Sequence, residues 1–267
     1  MRMNEPGTLT FGGKVISDLP GIKIFAVSID NAPARVYEKP DIPERGTTLL
    51  DEGYYKNVEQ IYSFVIENDV ESYTDSAIEK LRSYLLGYPG YYRLEDSWHT
   101  GEVYNAYLPD GLNITVSADR KMAKGELRFE RMPQRYYKNG LTPEPVTNDL
   151  AVEQVSYVMP SMPNISIINS TGSTVSGTFV IGEAVNGNPS NIIILHTITV
   201  TQLAANGRIN IDCADGTIKN LSGESAANKV SLSNGLPVLS SQDKSTTFVY
   251  YTTGDLTGYI TPRWWIL

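Results

Sequence analysis

Few residues of this sequence have the type and spacing to do chemistry. A nucleophile needs a base beside it, and the chain has two histidines, His99 and His196, and one cysteine, Cys213. His196 stands in the run Asn191 to Val200, with the parity of Ile192, Ile194, Ile198 and Val200. Strand alternation therefore puts it on an apolar face, as a hydrogen-bonded core residue. His99 follows Trp98 in a polar, loop-like stretch, and a surface position is expected. Cys213 shares the inward parity of Ile209 and Ile211, where a thiol behaves as a small hydrophobe rather than a nucleophile. It has no second cysteine with which to hold zinc or close a disulfide, which suits a reducing compartment. No HExxH, GxSxG or phosphate-loop pattern occurs.

The acids offer no better site. Glu67, Asp69, Glu71 and Asp75 crowd the approach to a helix, without the spacing and central glycine of an EF-hand. A solvated loop whose acids sit near a helix N-terminus accounts for them. No pair of carboxylates is singled out for glycoside hydrolysis. Catalytic residues, cofactor sites and metal sites are therefore expected to be none, and the chain is not read as an enzyme. The formal net charge of −8 is opposite to that of a phosphate binder. The densest basic stretch, Arg120, Lys121, Lys124, Arg128 and Arg131, is interrupted by Glu126 and Glu130 and reads as the solvated side of a strand pair. No run approaches the ~18 apolar residues of a membrane span, and the first residues carry no apolar stretch, so neither a membrane nor a secretory leader is expected.

The elements that would position these residues are mostly strands. One helix is expected over about 74–86, where Ile78, Leu81 and Leu85 share a face. Ser76 and Glu79 would form its capping box, and Gly87 its C-terminal cap. Elsewhere alternation dominates. Tyr62, Phe64 and Ile66 alternate with Ile61, Ser63 and Val65; Leu112, Ile114 and Val116 with Asn113, Thr115 and Ser117; Ile209, Ile211 and Cys213 with Asn210 and Asp212. Asn-Gly at 139, 186, 206 and 234, and Asp-Gly at 110 and 215, supply hairpin turns. The fold class is mainly β.

Composition changes near residue 140. Residues 1–150 hold 13 of the 17 tyrosines and 40 of the 52 charged residues. The junction carries Pro143 and Pro145, which stiffen it. Two domains are expected: 1–140, β-rich with the one helix, and 141–267, a β-sandwich. Tyrosine is enriched at protein interfaces, and Tyr54, Tyr55, Tyr91 and Tyr92 are candidate interface residues. Trp264 and Trp265 are adjacent on a terminal strand, so they point to opposite faces. One is expected in the core, and Trp265 joins the interface candidates.

Several stretches together resemble the distal tail proteins of siphophages. They are Pro43-Glu-Arg-Gly-Thr-Thr-Leu-Leu-Asp-Glu-Gly-Tyr-Tyr-Lys-Asn57 with the strand after it, the helix and aromatic strand from Ile78 to Leu94, and Gly125-Glu-Leu-Arg-Phe-Glu-Arg-Met-Pro-Gln-Arg-Tyr136. In the second half they are Ile167-Ile-Asn-Ser-Thr-Gly172, Ile209-Asn-Ile-Asp212 and Tyr259-Ile-Thr-Pro-Arg-Trp-Trp-Ile-Leu267. The helix end departs from the family pattern, with Tyr84-Leu-Leu-Gly87 where a tryptophan is usual. The resemblance spans nearly the whole chain in the right order.

It implies a structural protein of a phage or prophage tail, made in the host cytoplasm and located at the virion tail tip. The first domain would form a homohexameric ring, joining the tail tube protein to a tail tip or fibre protein. DNA would pass through the channel without specific binding, and an acidic channel wall would let it slide. The second domain would be a galectin-like β-sandwich carrying a receptor-binding or baseplate protein. The competing reading is a carbohydrate-binding module for host cell-wall sugars. It needs an exposed aromatic from Trp264, Trp265, Tyr157, Tyr250, Tyr251, Phe179, Phe248 or Tyr259. A wall-degrading tail enzyme is a third, for which the sequence offers no acid pair or metal cluster.

Overall fold

The computed structural model describes residues 5–38, 51–87, 89–156, 158–241 and 246–267, with the backbone of 41–42, 46–47 and 50. Residues 43–45, 48–49 and Tyr157 lie outside them, so part of the stretch from Pro43 to Asn57 is not described. The fold is mainly β with one α-helix. The chain forms two compact units, one of residues 1–135 with Leu267 and one of Tyr136–Ile266.

The first unit contains β1 (Leu9–Phe11), β2 (Lys14–Val15), β3 (Ile22–Ser28), β4 (Arg35–Glu38), β5 (Asp41–Ile42), β6 (Gly46–Thr47), β7 (Leu50–Tyr55) and β8 (Val58–Glu67). After these come α1 (Glu71–Leu86), β9 (Tyr92–Asp96), β10 (Glu102–Tyr107), β11 (Ile114–Val116) and β12 (Met122–Tyr137). The main sheet runs β2-β1-β9-β10-β12-β8-β3, with β11 on β12. Its far ends are tied by a bridge in which the Gly7 N–H donates to the Ile24 carbonyl at 2.9 Å. A Cβ on Gly7 would lie 2.5 Å from the Trp98 ring, so only glycine lets the chain cross there. β8 alternates as read: Tyr62, Phe64 and Ile66 are buried. Gly125, on the facing strand, lies where a Cβ would meet the Phe64 ring at 2.8 Å.

α1 begins at Glu71, three residues earlier than the sequence pattern suggests. The Ser76–Glu79 capping box does not form, because both residues lie inside the helix; Val70 is the N-cap, without a side-chain bond. The earlier start is held by Arg120, which bridges Glu71 at 2.7 Å and Asp75 at 2.6 Å, and by Thr74 Oγ1 donating to the Lys121 carbonyl. Gly87 stays right-handed, φ −72°. A Cβ there would fall 2.8 Å from the Ser83 carbonyl. The helix buries Ala77, Ile78, Leu81 and Leu85, each large side chain contributing about 1.5–3 kcal/mol.

The second unit is a sandwich of two five-stranded antiparallel sheets. Its ten strands are β13 (Glu144–Val146), β14 (Ala151–Val155), β15 (Asn164–Asn169), β16 (Val175–Val185), β17 (Asn188–Leu203), β18 (Arg208–Asp212), β19 (Thr217–Asn220), β20 (Val230–Leu232), β21 (Thr246–Thr252) and β22 (Leu256–Thr261), and β23 (Trp265–Ile266) follows outside both sheets. One sheet is ordered β13-β22-β15-β18-β19 and the other β14-β21-β16-β17-β20. Between them lie Ile165, Ile167, Ile209, Ile211, Phe179, Phe248 and Trp264, all buried.

The two units part at 135/136 rather than at 140/141, where composition changes. Asn139-Gly140 makes a 3-10 turn, not a hairpin. Gly140 packs so closely that a Cβ would meet Trp264 N at 2.6 Å, and its carbonyl accepts from Arg263 N. Asn186-Gly187 is a true hairpin turn, with φ of 52° and 71°.

Candidate functional site

The interface candidates of the first unit fall into two groups. Tyr54 and Tyr55 end β7, which pairs with β4 in a separate two-stranded ladder. Tyr54 is 55% exposed. Tyr55 is half-buried; its ring lies under the Arg35 guanidinium at 5.3 Å and its hydroxyl accepts from Arg35 Nη1. Arg35 also pairs with Asp51, so one face of the ladder presents a braced cation, and exposed Tyr54 has the opposite parity to Tyr55. Tyr91 is exposed and stands edge-on to Tyr107 at 4.9 Å. Asn57 Nδ2 donates to both Tyr91 Oη and Glu130 Oε1, and Tyr107 donates to Glu130 Oε2 at 2.7 Å. That bond, foremost, raises the Tyr107 pKa to about 12. Tyr92, its neighbour, turns inward and packs edge-on to Phe11. Asn57 and Glu130 lie in two of the stretches that carry the resemblance, and the pairing of β8 with β12 brings them together; Tyr107 reaches Tyr91 through the pairing of β10 with β9.

The most organised polar cluster lies under the first unit's sheet and corrects the surface reading of His99. The His99 ring is largely buried, with Nδ1 3.2 Å from Asp96 and Nε2 2.9 Å from Asp30. Asp96 is fully covered; it accepts from Tyr62 Oη at 2.7 Å and from the Trp98 and His99 backbone N–H groups. Burial pushes the Asp96 carboxyl up, but the bonds from His99 and Tyr62 outweigh this and hold it below the usual carboxylate range. The Asp96 bond, foremost, lifts His99 from 6.5 to about 9, against burial and with help from Asp30. Both ring nitrogens face carboxylates, so the imidazole is a clamped cation at neutral pH and not a general base. Beside it Tyr104 donates to Glu102 and stacks under the Arg131 guanidinium at 5.1 Å. Burial pushes the Arg131 pKa down, and Arg131 Nη2 donates to the Asn31 carbonyl. The Asp96-x-x-His99 spacing was the one signal for this cluster, an acid capping the turn that carries its own histidine partner.

The charge run read as solvated is so at Arg120 and Arg128, the latter bridging Glu126 and Glu59, but Arg131 departs from it and is buried. Among the described residues no three His, Cys, Asp or Glu side chains gather as a metal site. Among the described residues no helix is long and apolar enough to cross a membrane.

In the second unit Cys213 is buried, and burial pushes its thiol up to about 12, which removes it as a nucleophile. His196 keeps the face of Ile198 and Val200, opposite buried Ile181, while Ile192 and Ile194 leave it. β17 bulges between its pairings of His196 with Ile181 and of Ile194 with Gly182, so parity switches, leaving Ile193 and Ile194 59% and 55% exposed. His196 is half-buried and bonded to the Val238 backbone, and burial lowers its pKa. Trp264 is the core tryptophan; it stacks on Phe248 at 5.2 Å and donates to Glu153 at 2.6 Å. Trp265 is half-buried, its Nε1 donating to the Pro160 carbonyl at 3.0 Å. Two of the stretches behind the family resemblance meet directly: Arg263 forks onto Asp212 at 2.8 and 2.7 Å. A third is organised by buried Asn169, which donates to three carbonyls and accepts from Thr171.

No family model matches the sequence, and no curated protein matches it at a significant level. Solved structures do. The SPP1 Dit protein, described as a paradigm of the hub adsorption apparatus in Gram-positive infecting phages, superposes with a TM-score of 0.60 at 14% identity, over 93% of this chain and 99% of that one. A chain of the phage P2 baseplate, in its activated conformation with Ca, superposes with a TM-score of 0.51 at 7% identity over the same shares. The fold is that of phage hub and baseplate proteins, in line with the resemblance read from the sequence.

Proposed function

We propose that this chain is a structural, non-enzymatic protein of a phage or prophage tail: the distal tail hub. Six copies close into a ring at the tail's distal end, with the first unit forming the ring and the second, a galectin-like sandwich, turned outward. The ring joins the tail tube protein to a tip or fibre protein, the sandwich carries a receptor-binding or baseplate protein, and DNA passes through the channel without specific contacts. The chain is made in the host cytoplasm and ends in the virion tail tip.

The observation that carries this reading is a superposition on the SPP1 Dit hub protein that leaves almost none of either chain unmatched. Supporting it, both ring nitrogens of His99 face carboxylates and Cys213 is a buried thiol. Ring closure needs one patch to meet a different patch after a fixed rotation. Exposed Tyr54, on the same ladder as Arg35, and Tyr91 beside Tyr107 are suited to this, since tyrosine and arginine anchor interfaces. Light scattering and negative-stain imaging of the purified full chain test the proposal. Six-membered rings with a central hole are expected, broken down by Tyr54→Glu or Tyr91→Glu. A monomer at every concentration, unchanged when tail tube protein is added, would overturn the ring.

A further inference from the structure

We propose that the open face of the β13-β22-β15-β18-β19 sheet is a saccharide-binding site centred on Tyr259. Its other face packs into the sandwich core through Ile165, Ile167, Ile209, Ile211 and Ile260. Register therefore puts the alternate residues together on the open side. Tyr259 stands opposite Pro145 and Ser166, Ser166 opposite Asn210, and Asn210 opposite Lys219. The next row is Thr261, Asn164, Asp212 and Thr217. The result is one aromatic ring at the edge of a comb of hydroxyl, amide and guanidinium groups.

Of the eight aromatics that a sugar platform could draw on, Phe179, Phe248, Tyr250 and Trp264 are core, Tyr251 and Trp265 are half-buried, and Tyr157 lies outside the described residues. Tyr259 is 43% exposed, and among the described residues its hydroxyl takes no partner. Beside it is a shallow depression of about 400 Å³, lined by Pro143, Asn164, Ser166, Arg208, Tyr259 and Thr261. That is near the small end of the range for small-ligand sites. The depression is built rather than incidental. Arg208 Nε donates to buried Ser166 Oγ at 2.6 Å and to Asn210 Oδ1 at 2.9 Å. The plane of the guanidinium is thereby set, and its two terminal amino groups have no acceptor among the described residues. Asn164 is oriented by Asp212, which Arg263 holds in turn.

A pyranose has an apolar face of C–H groups and a rim of hydroxyls. Tyr259 offers a rigid ring for the first, while Arg208, Asn164 and Thr261 offer donors and acceptors for the second. A protein partner would call for several clustered anchors, and among the described residues Tyr259 is the one exposed aromatic on this face, with Lys219 the other large exposed side chain. The inference stands apart from the tail-hub proposal, because it concerns one sheet face of the chain whatever its assembly.

Saturation-transfer difference NMR on the full chain tests it, with the methyl glycosides of glucose, galactose, N-acetylglucosamine and rhamnose as probes. At least one is expected to show saturation transfer, strongest on ring C–H protons. Its affinity should fall at least tenfold in Tyr259→Ala, fall in Arg208→Gln, and persist in Tyr259→Phe and in the off-face control Leu221→Ala. The exposed position of Tyr259 leaves the fold intact, and an unchanged melting temperature would verify this. Silence with all four probes, or equal transfer in wild type and Tyr259→Ala, would overturn the proposal.

Discussion

Removing the His99 imidazole should cost stability, and the cost should depend on pH. In the folded protein His99 sits between Asp96 and Asp30, and its pKa rises from 6.5 to about 9. At 1.36 kcal/mol per pH unit this is worth about 3 kcal/mol at most. The Asp30 side chain is 72% exposed, so solvent screens that half of the pairing, and about 1–2 kcal/mol remains. A raised pKa means that the folded state binds the proton more tightly. The stabilisation is therefore complete below 6.5 and is lost as pH climbs through about 9. Asp96 is shifted the other way, so its share is present above 3.8 and is lost as pH falls through the lowered value. The pair should be strongest between these limits. Glu102 acts on His99 in the same sense as the two aspartates. Urea unfolding of wild type and His99→Gln, followed by circular dichroism and tryptophan fluorescence, gives the gap at about pH 6 and about pH 9.5. A gap that shrinks by about 1–2 kcal/mol between the two is expected. An equal gap at both would refute the ion-pair account and leave His99 as packing alone.

Two further outcomes follow from the packing. Gly7→Ala puts a Cβ 2.5 Å from the Trp98 ring at the bridge that ties β1 to β3; a loss of about 1–3 kcal/mol is expected from overpacking, and an unchanged melting temperature would show that the bridge is not a tight crossing. Glu153 has its carboxyl pushed up by burial and accepts from Trp264 and Tyr250. Its folded state favours the proton, so wild type should lose stability as pH rises through the raised value. Glu153→Gln should match wild type in acid and exceed it at about pH 8, because the amide oxygen still accepts from Trp264 without a buried charge. Glu153→Ala should cost about 1–3 kcal/mol at either pH, by leaving the indole N–H unpaired. A Gln variant less stable than wild type at about pH 8 would sink this reading.

Much of the architecture was legible in the sequence because it rests on local periodicity. Alternation in Val58–Glu67 and Arg208–Asp212 names their buried sides, and the helix shows its face through Ile78, Leu81 and Leu85. The inward turn of Cys213 and the core place of one terminal tryptophan are of the same kind. These follow from backbone geometry and the avoidance of water by apolar side chains, which need no knowledge of distant neighbours. The order of short stretches along the chain also carried the family resemblance.

What depends on partners far away in sequence was decided only by the tertiary structure. His99 reads as a surface residue until Asp30, 69 positions earlier, is folded against it. The helix starts at Glu71 because Arg120 reaches back to it. The Asn139-Gly140 pair forms a 3-10 turn and not a hairpin, and its glycine is required because Trp264 occupies the space a Cβ would need. Ile194 leaves the apolar row that His196, Ile198 and Val200 keep, because one extra residue in β17 inverts the parity before His196. Tyr259 becomes the exposed ring on a polar face because strands from three separate stretches pair in that register. Periodicity says which way a side chain points relative to its own backbone, but only the pairing of strands and the closing of the core say what it meets there.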